Sequence, residues 1–316
     1  MNNVLFLSVY HPESEFCPKP SMFSRVWEEA AHFDTPFLWR CIDDVYVKSN
    51  VVYDKKNHQP LNVTHVFPFY FSFEEERFAP VLKVFKEGGC IVSRQGVSPL
   101  SDKWQASKLF AECDVPHPKT WLVENVAHIK PMFSPDQLYV LKPKCGKQGD
   151  GVVLVKSFEE LQSLMLLDVY HQGALLQSLI TPIGRDIRAF VIGNEVVASM
   201  ERWAPLGELV TNYSKHHNAK PILLTKLEKA LAVKATKVGG LHYAGVDLMR
   251  HENGKTYVLE VNARPAIAIE DVTGVNIAKK WLEYFICLNQ GFLGGQPQKQ
   301  AEGLQYPCDH TELQGQ

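Results

Sequence analysis

Residues 244–263 read AGVDLMRHENGKTYVLEVNA, and the pairing within this stretch decides the fold. Asn253-Gly254 is the strongest short signal for a two-residue hairpin turn, in which both central residues need positive φ. Counting outward from it, Glu252 faces Lys255, Arg250 faces Tyr257 and Asp247 faces Glu260. Residues directly opposite share a face, with Cβ atoms about 4.5–5.5 Å apart. Two carboxylates that close repel by roughly 3 kcal/mol at an effective dielectric near 20. A cation between them removes the repulsion, and Asn262, two residues past Glu260, adds a third oxygen to that face. The other face carries Val246 and Leu248 opposite Val261 and Leu259. A one-residue slip would bury the carboxylates, so the register is well specified. All-oxygen ligation suits Mg²⁺, which keeps several waters and shares its site with substrate phosphates. A solvated polar face, relieved by a proton or a lysine, is the alternative that the hairpin alone leaves open.

A chain of 316 residues has room for two or three domains and a large core. With 45% hydrophobic and 22% charged residues it has the composition of a soluble globular protein. A net charge of −2 gives no bulk attraction to nucleic acid or an anionic membrane. No apolar run approaches the roughly 20 residues of a membrane span. Residues 2–10 are apolar but lack a basic leader, and read as a strand instead of a signal peptide. Seven scattered cysteines without a C-x-x-C pair fit reduced thiols in a cytoplasmic protein.

Along residues 1–98, strands at 4–7, 37–39, 63–71 and 90–92 alternate with helices at 21–33 and 73–87, which predicts a small parallel α/β domain. No G-x-G-x-x-G follows the first strand, so no dinucleotide site is expected there. A helix opens near Asp102 with the stripe Ala106, Leu109, Phe110, Cys113. Strands follow at 139–144, 152–155 and 175–179, with a helix at 158–167. Gly193-Asn194 predicts a second hairpin, in which Arg188 faces Ser199 and Asp186 faces Glu201. Its other face is apolar, with Ile187, Ala189 and Val191 beside Val196, Ala198 and Met200. Residues 204–222 read as a long polar loop, a length typical of lids and binding segments. Thr225-x-x-Glu228 is a capping box for a helix ending at Gly239-Gly240. Asn276 can cap a final helix, and 291–316 read as a mostly disordered tail.

Gly146-Lys147-Gln148-Gly149-Asp150-Gly151 lies between two strands. Its glycines let the backbone approach a ligand closely and turn N–H groups inward as an anion nest. Lys142 and Lys144 stand just before it, and Lys103 opens a helix; all three are candidate phosphate ligands. The bland alternative is a loose turn with solvated lysines, since G-K-[S/T] is missing and a strand follows. Arg188 can hold a phosphoryl group, or pair with Asp186 and Glu201 in a surface network of little energetic value. His216 and His217 read better as an exposed loop pair than as metal ligands. Cys145 reads as inert packing before redox chemistry.

The order of these pieces is more specific than any one of them. Asp102-Lys103, Lys142 before a glycine-rich loop, Gln177-Ser178-Leu179, Asp186-Ile187-Arg188, Asp247 in AGVD and Glu260-Val261-Asn262-Ala263 together resemble the ATP-grasp superfamily. Within it, DIRAFVIGNEVVASMER from Asp186 to Arg202, residues 244–263 and the run TGVNIA at 273–278 are similar to the RimK-like, ribosomal-protein glutamate ligase branch.

The resemblance covers roughly residues 99–290 and implies an ATP-grasp fold. That fold has an N-terminal parallel α/β domain (1–98), a central α+β subdomain (99–180) and a C-terminal α+β subdomain with the metal site (181–290). It implies ATP, and Mg²⁺ with Mn²⁺ able to stand in, held by Asp247, Glu260 and Asn262. Lys103, Lys142, Lys144, Gly146, Gln148, Gly149 and Gly151 fall on the phosphate side, and Asp186 among the nucleotide-binding residues. Gln177, Ser178 and Leu179 fall at the adenine edge, and Arg188, Arg202 and Asn212 at the transferred phosphoryl group.

The implied reaction joins an amino acid or other carboxylate substrate to an amine on a small molecule, peptide or protein tail through an acyl phosphate. Neither nucleic acid nor membrane is an expected partner, and self-association is open. An ATP sensor without turnover and an ATP-dependent small-molecule kinase are the alternatives. The chain departs from the family at Ser178, usually acidic, at the segment after Asn212, at Arg264, usually small, and at Ala266, usually glycine. The simple hairpin register puts Arg202 on the apolar side, so its role requires a bulge or the strand's end.

Overall fold

A computed structural model describes residues 4–17, 21–33, 37–70, 74–92, 98–144, 149–211 and 217–292. Three sheets carry the architecture. The N-terminal sheet is parallel, in the order β2 (Phe37–Cys41), β1 (Val4–Ser8), β5 (His65–Phe69), β6 (Ile91–Val92). Burial on both faces explains its unbroken apolar strands. Leu5, Leu7 and Val66 pack under α2 (Glu75–Glu87) and beside the hairpin of β3 (Val45–Lys48) and β4 (Val51–Asp54). Val4, Phe6 and Phe67 face α1 (Met22–Ala30), whose N-terminus Ser21 caps.

The central sheet is antiparallel, in the order β7 (Thr120–Val123), β10 (Ala174–Ser178), β8 (Tyr139–Pro143), β9 (Val153–Val155). Tyr139, Leu141, Ala174 and Leu176 turn to a core shared with Ile129 and Leu161 of α4 (Val126–Ile129) and α5 (Phe158–Leu164). By alternation the other face carries Val140, Lys142, Leu175 and Gln177.

The C-terminal sheet runs β13 (Ala219–Pro221), β12 (Glu195–Trp203), β11 (Arg185–Ile192), β14 (Tyr243–Arg250), β15 (Thr256–Asn262), all antiparallel. β13 lies inside the stretch expected to be loop, and pairs Ala219 with Arg202. One face packs on α3 (Lys103–Glu112) and α6 (Lys226–Val238) through Ala106, Phe110, Ala232 and Ala235. Residues from Leu100 to Val115 thus join the core of the C-terminal sheet and not that of the central one. α7 (Ile269–Thr273) precedes α8 (Ile277–Phe292), which Asn276 caps through Lys279 N–H at 2.8 Å. This last helix extends into the stretch read as tail. It ties the first sheet to the third: Trp281 lies 5.7 Å from Phe6 and 5.8 Å from Tyr243, centroid to centroid.

Among the described residues no helix is long and apolar enough to cross a membrane, and Cys17, Cys41, Cys90, Cys113 and Cys287 form no disulfide.

Candidate active site

Asp247 lies opposite Glu260, by a route other than a two-residue turn. His251 N–H donates to the Lys255 carbonyl at 2.8 Å and Gly254 N–H to the His251 carbonyl at 2.9 Å. The loop is therefore Glu252, Asn253 and Gly254, and of these only Gly254 has positive φ, at 81°. That is a type I turn closed by a left-handed glycine. It offsets the strands by one residue, pairing Leu248 with Val258 and Met249 with Tyr257. A bulge at Leu259 then restores the register before Asp247. Val258, not Leu259, consequently joins Val246, Leu248 and Val261 in the core.

The second hairpin keeps its Gly193-Asn194 turn, since Ile192 pairs with Glu195. A bulge at Val197 shifts everything beyond it, so Arg188 faces Met200 instead of Ser199 and Asp186 faces Arg202 instead of Glu201. This bulge carries Arg202 from the apolar side to the site. The face it joins is charged only at one end. Towards the turn Phe190, Ile192, Ala198 and Met200 are buried in the core that includes α8.

Across β11 and β14, Arg188 pairs with Asp247. Its Nε donates to Asp247 Oδ1, and its Nη2 donates to Oδ2 at 2.9 Å. Arg202 grips Asp186 through Nε at 2.7 Å and Nη2 at 2.6 Å, while Nη2 also lies 3.0 Å from Asp247 Oδ1. Gly245 makes the arrangement possible, because a Cβ there would stand 2.7 Å from Pro265 Cβ and 3.1 Å from the Arg188 side chain. Burial pushes the Asp247 carboxyl up, but the two guanidiniums outweigh it and hold the group below its ordinary range. Asp186 is pushed up by burial against the pull of Arg202, and also bonds the Thr211 side chain. Asn262 Nδ2 approaches Asp247 Oδ2 at 3.4 Å and the Gly245 carbonyl at 3.3 Å. Glu260 is exposed and makes no ion pair among the described residues.

The central sheet meets this face with Lys142. Burial lowers its ammonium pKa, Glu260 and Asp247 raise it, and Lys103 lowers it, so Lys142 lies within electrostatic range of all three. Lys103 is the first residue of α3, behind the Asp102 cap that accepts from Gln105 N–H at 2.8 Å. Lys144 instead runs beside Gly173 and makes no ion pair among the described residues. Gln177 donates through its side chain to Thr120 Oγ1 at 2.9 Å. Ser178 N–H is taken by the Lys119 carbonyl and Leu179 N–H by the Leu138 carbonyl, at 2.9 and 3.1 Å. Neither of these two N–H groups is thus left at that edge for a nucleotide.

At the glycine loop, a Cβ on Gly149 would stand 2.4 Å from Val210 Cγ1. The loop therefore touches the segment after β12 directly. Gly151 is fixed from behind by Tyr170, whose hydroxyl donates to its carbonyl at 2.6 Å. Gly146, Gln148, Cys145, Asn212 and His216 lie outside the described residues; His217 is exposed. Sequence reasoning did not single out Val210 or Thr211, which reach Gly149 and Asp186 only through long-range packing.

No group of three or more His, Cys, Asp or Glu residues among those described could hold a metal ion. Two carboxylates and an amide nonetheless fit Mg²⁺, an ion that keeps waters and takes its other ligands from phosphates. The lone-pair sites of Asp247 face Arg188 Nε and Nη2, Arg202 Nη2 and, at 3.4 Å, Asn262 Nδ2, so a cation there takes the place of the long Asn262 contact.

Comparisons with known proteins agree on the family and the fold. The family model described as the RimK-like ATP-grasp domain matches residues 100–285. A probable alpha-L-glutamate ligase of Haemophilus influenzae (strain PittEE) is 36% identical over 230 residues, 69% of this chain and 75% of that protein. One of Pasteurella multocida (strain Pm70) is 35% identical over 233 residues, covering 70% and 73%. Among solved structures, the ATP-grasp ligase PsnB complexed with minimal precursor, Mg and ADP superposes with a TM-score of 0.69 at 16% identity, over 91% of this chain and 98% of that one. The macrocyclase MdnC bound with precursor peptide MdnA from Microcystis aeruginosa MRC gives 0.64 at 15%, over 90% and 99%. The fold is thus shared at low identity and the sequence over more than half of the chain: the protein belongs to the RimK-like ATP-grasp family.

Proposed function

We propose that this ATP-grasp ligase is an ATP- and Mg²⁺-dependent carboxylate–amine ligase that adds an amino acid to a small molecule, peptide or protein by way of an acyl phosphate. One observation carries the reading: Asp247 and Glu260 face each other across β14 and β15, with Lys142 of the central sheet within electrostatic range of both. Two acids brought opposite one another at the mouth of a cleft lined with lysines suit a nucleotide triphosphate and its cation.

In this reading Val140, Leu175 and Gln177 present the seat for the base. Lys142 and Lys103 hold phosphate oxygens. When bound, Mg²⁺ on the oxygens of Asp247, Glu260 and Asn262 neutralises phosphate charge. A substrate carboxylate oxygen attacks the γ-phosphorus, the bond to the bridging oxygen breaks, and ADP departs. Arg188 spends Nε and Nη2 on Asp247 and keeps Nη1 for the phosphoryl group. Arg202, locked to Asp186, holds Asp247 from the other side. The amine then attacks the carbonyl carbon, phosphate leaves and the amine nitrogen loses a proton. Such transfer needs positioning and charge neutralisation more than a protein nucleophile. Contact between Gly149 and Val210 closes the cleft, which keeps water from the acyl phosphate.

The test is ADP release against a panel of amino acids and peptides, with mass spectrometry for a new amide. ADP together with an amide is the expected result. ADP without amide indicates a kinase, and ATP binding without ADP a sensor; either outcome overturns the reading. Additional support comes from the two relatives at 36% and 35% identity, which are named for glutamate ligation.

A further inference from the structure

The chain crosses between the C-terminal and central sheets at two places, and both crossings are tied to the β14–β15 hairpin. On the way in, the Pro116 carbonyl accepts from Val258 N–H of β15 at 2.8 Å, and the Lys119 carbonyl then accepts from Ser178 N–H of β10 at 2.9 Å. On the way out, Leu179 N–H donates to the Leu138 carbonyl, just ahead of β8, at 3.1 Å. The Thr181 carbonyl then accepts from Glu252 N–H of the hairpin loop, also at 3.1 Å. Only His117 with Pro118, and Ile180, lie between a bond to one sheet and a bond to the other.

Thr181 is held by its side chain as well. Its hydroxyl donates to Glu252 Oε2 at 3.0 Å, and His251 Nδ1 lies 3.2 Å from that hydroxyl and 3.1 Å from the Thr181 carbonyl. The hairpin is itself braced on α6 next to this loop. Glu228 accepts from Arg250 at 2.6 and 3.0 Å and from the Thr256 hydroxyl at 3.3 Å, and these two residues face each other across the strands. The same hairpin carries Asp247 and Glu260, with Asp247 four residues from His251, about 13 Å along a strand. β10, which runs into Ile180, pairs Leu175 with Lys142. One hairpin thus bears the acids of the cleft and, at its loop, the anchor of the strand beside Lys142.

We infer that Thr181, His251 and Glu252 are positioning residues of the nucleotide cleft. They pin the crossing at Ile180 and so fix the angle at which the central sheet brings Lys142 towards Asp247 and Glu260. Loosening the pin lets the two sheets adopt further arrangements, and a nucleotide that needs one of them binds in proportion to its share. The loss falls mainly on release, because most affinity differences within one interface lie in the dissociation rate. The inference rests on the nucleotide part of the ligase reading above.

Stopped-flow displacement tests it without turnover to amide. The probe is N-methylanthraniloyl ATP bound with Mg²⁺ and chased with excess unlabelled ATP. Thr181→Val keeps the shape of the side chain and removes the hydroxyl. Release should quicken about fivefold, the size of one net hydrogen bond, with association within about twofold of wild type. Glu252→Ala should do the same. Thr181→Ser and Glu252→Gln keep the donor and the acceptor, so both should release at the wild-type rate. Asn253→Ala is the control. Asn253 bonds Lys255 N–H at 2.9 Å and the Tyr257 hydroxyl at 3.3 Å in the same loop, but not Thr181, so its loss should leave release unchanged. Glu252 and Asn253 are exposed, which makes their variants safe for folding, and the thermal midpoint checks this. Wild-type release in Thr181→Val and Glu252→Ala, no rescue by Thr181→Ser and Glu252→Gln, or equal quickening by Asn253→Ala overturns the inference alone. A wild type that binds no analogue overturns the nucleotide reading, and the inference with it.

Discussion

Asp186 faces Arg202 only because β12 holds one extra residue at Val197. That slip converts two hairpin strands into a platform on which Arg202 bridges Asp186 and Asp247. Two acids and two arginines then neutralise each other where burial alone would make any one of them costly.

Breaking this set should cost stability as well as rate. Asp186→Ala leaves Arg202 buried with one acid fewer, and loss of one partner from a buried pair costs about 3–5 kcal/mol. Urea unfolding of the variant should show the loss as a shifted midpoint with an unchanged slope.

Glu260→Gln should separate catalysis from folding. Glu260 is exposed and free of ion pairs among the described residues, so the unfolding midpoint should stay within about 0.5 kcal/mol of wild type. Turnover should fall about 100-fold or more, read as ADP release at saturating ATP.

Gly149→Ala should loosen the nucleotide. The added Cβ meets Val210 Cγ1 at 2.4 Å and a φ of 79° that L side chains resist. The KM for ATP should rise about tenfold, the size of a 1.4 kcal/mol loss. Adding Val210→Ala removes the 2.4 Å contact but leaves Val210 Cβ at 3.2 Å and the backbone strain, so it should restore part of the affinity.

Two buried groups should give stability separate acid limits. His65 is buried and its imidazole is lowered to about 4 from 6.5, mainly by burial. The unfolded chain binds a proton that the folded one refuses, so stability falls as pH drops from about 6.5 towards 4. Glu228 is lowered to about 2 from 4.5: burial opposes the shift, and Arg250 with the Thr225 N–H overcomes it. Its contribution is complete above about 4.5 and is lost as pH falls towards 2. The half-exposed Arg250 is solvent-screened, so the Glu228 loss should be only about 1–2 kcal/mol. Chemical denaturation across pH should show His65→Asn flattening the upper window and Glu228→Gln the lower.

Much of the site was legible because strand alternation and short-range turn chemistry are local. The opposition of Asp247 and Glu260 emerged from a turn of the wrong length, since the three-residue loop and the bulge at Leu259 shift the register in opposite directions. Apolar patterning, which admits only one buried face, had marked the outcome. The requirement that Arg202 needs a bulge was readable for the same reason, though its place at Val197 was not. The hairpin of β3 and β4 escaped notice because Ser49-Asn50, both at positive φ, is a weak turn signal. Short β7 lies at an edge with little periodicity. Contacts of Val210 with Gly149, Thr211 with Asp186 and Arg264 with Tyr70 join segments far apart in the chain, and no local pattern encodes them.

Isotope transfer tests the acyl phosphate most directly. With the accepted carboxylate substrate labelled with ¹⁸O in both oxygens, one labelled oxygen should appear in the inorganic phosphate released with each amide formed. Amide accompanied by unlabelled phosphate would contradict the account.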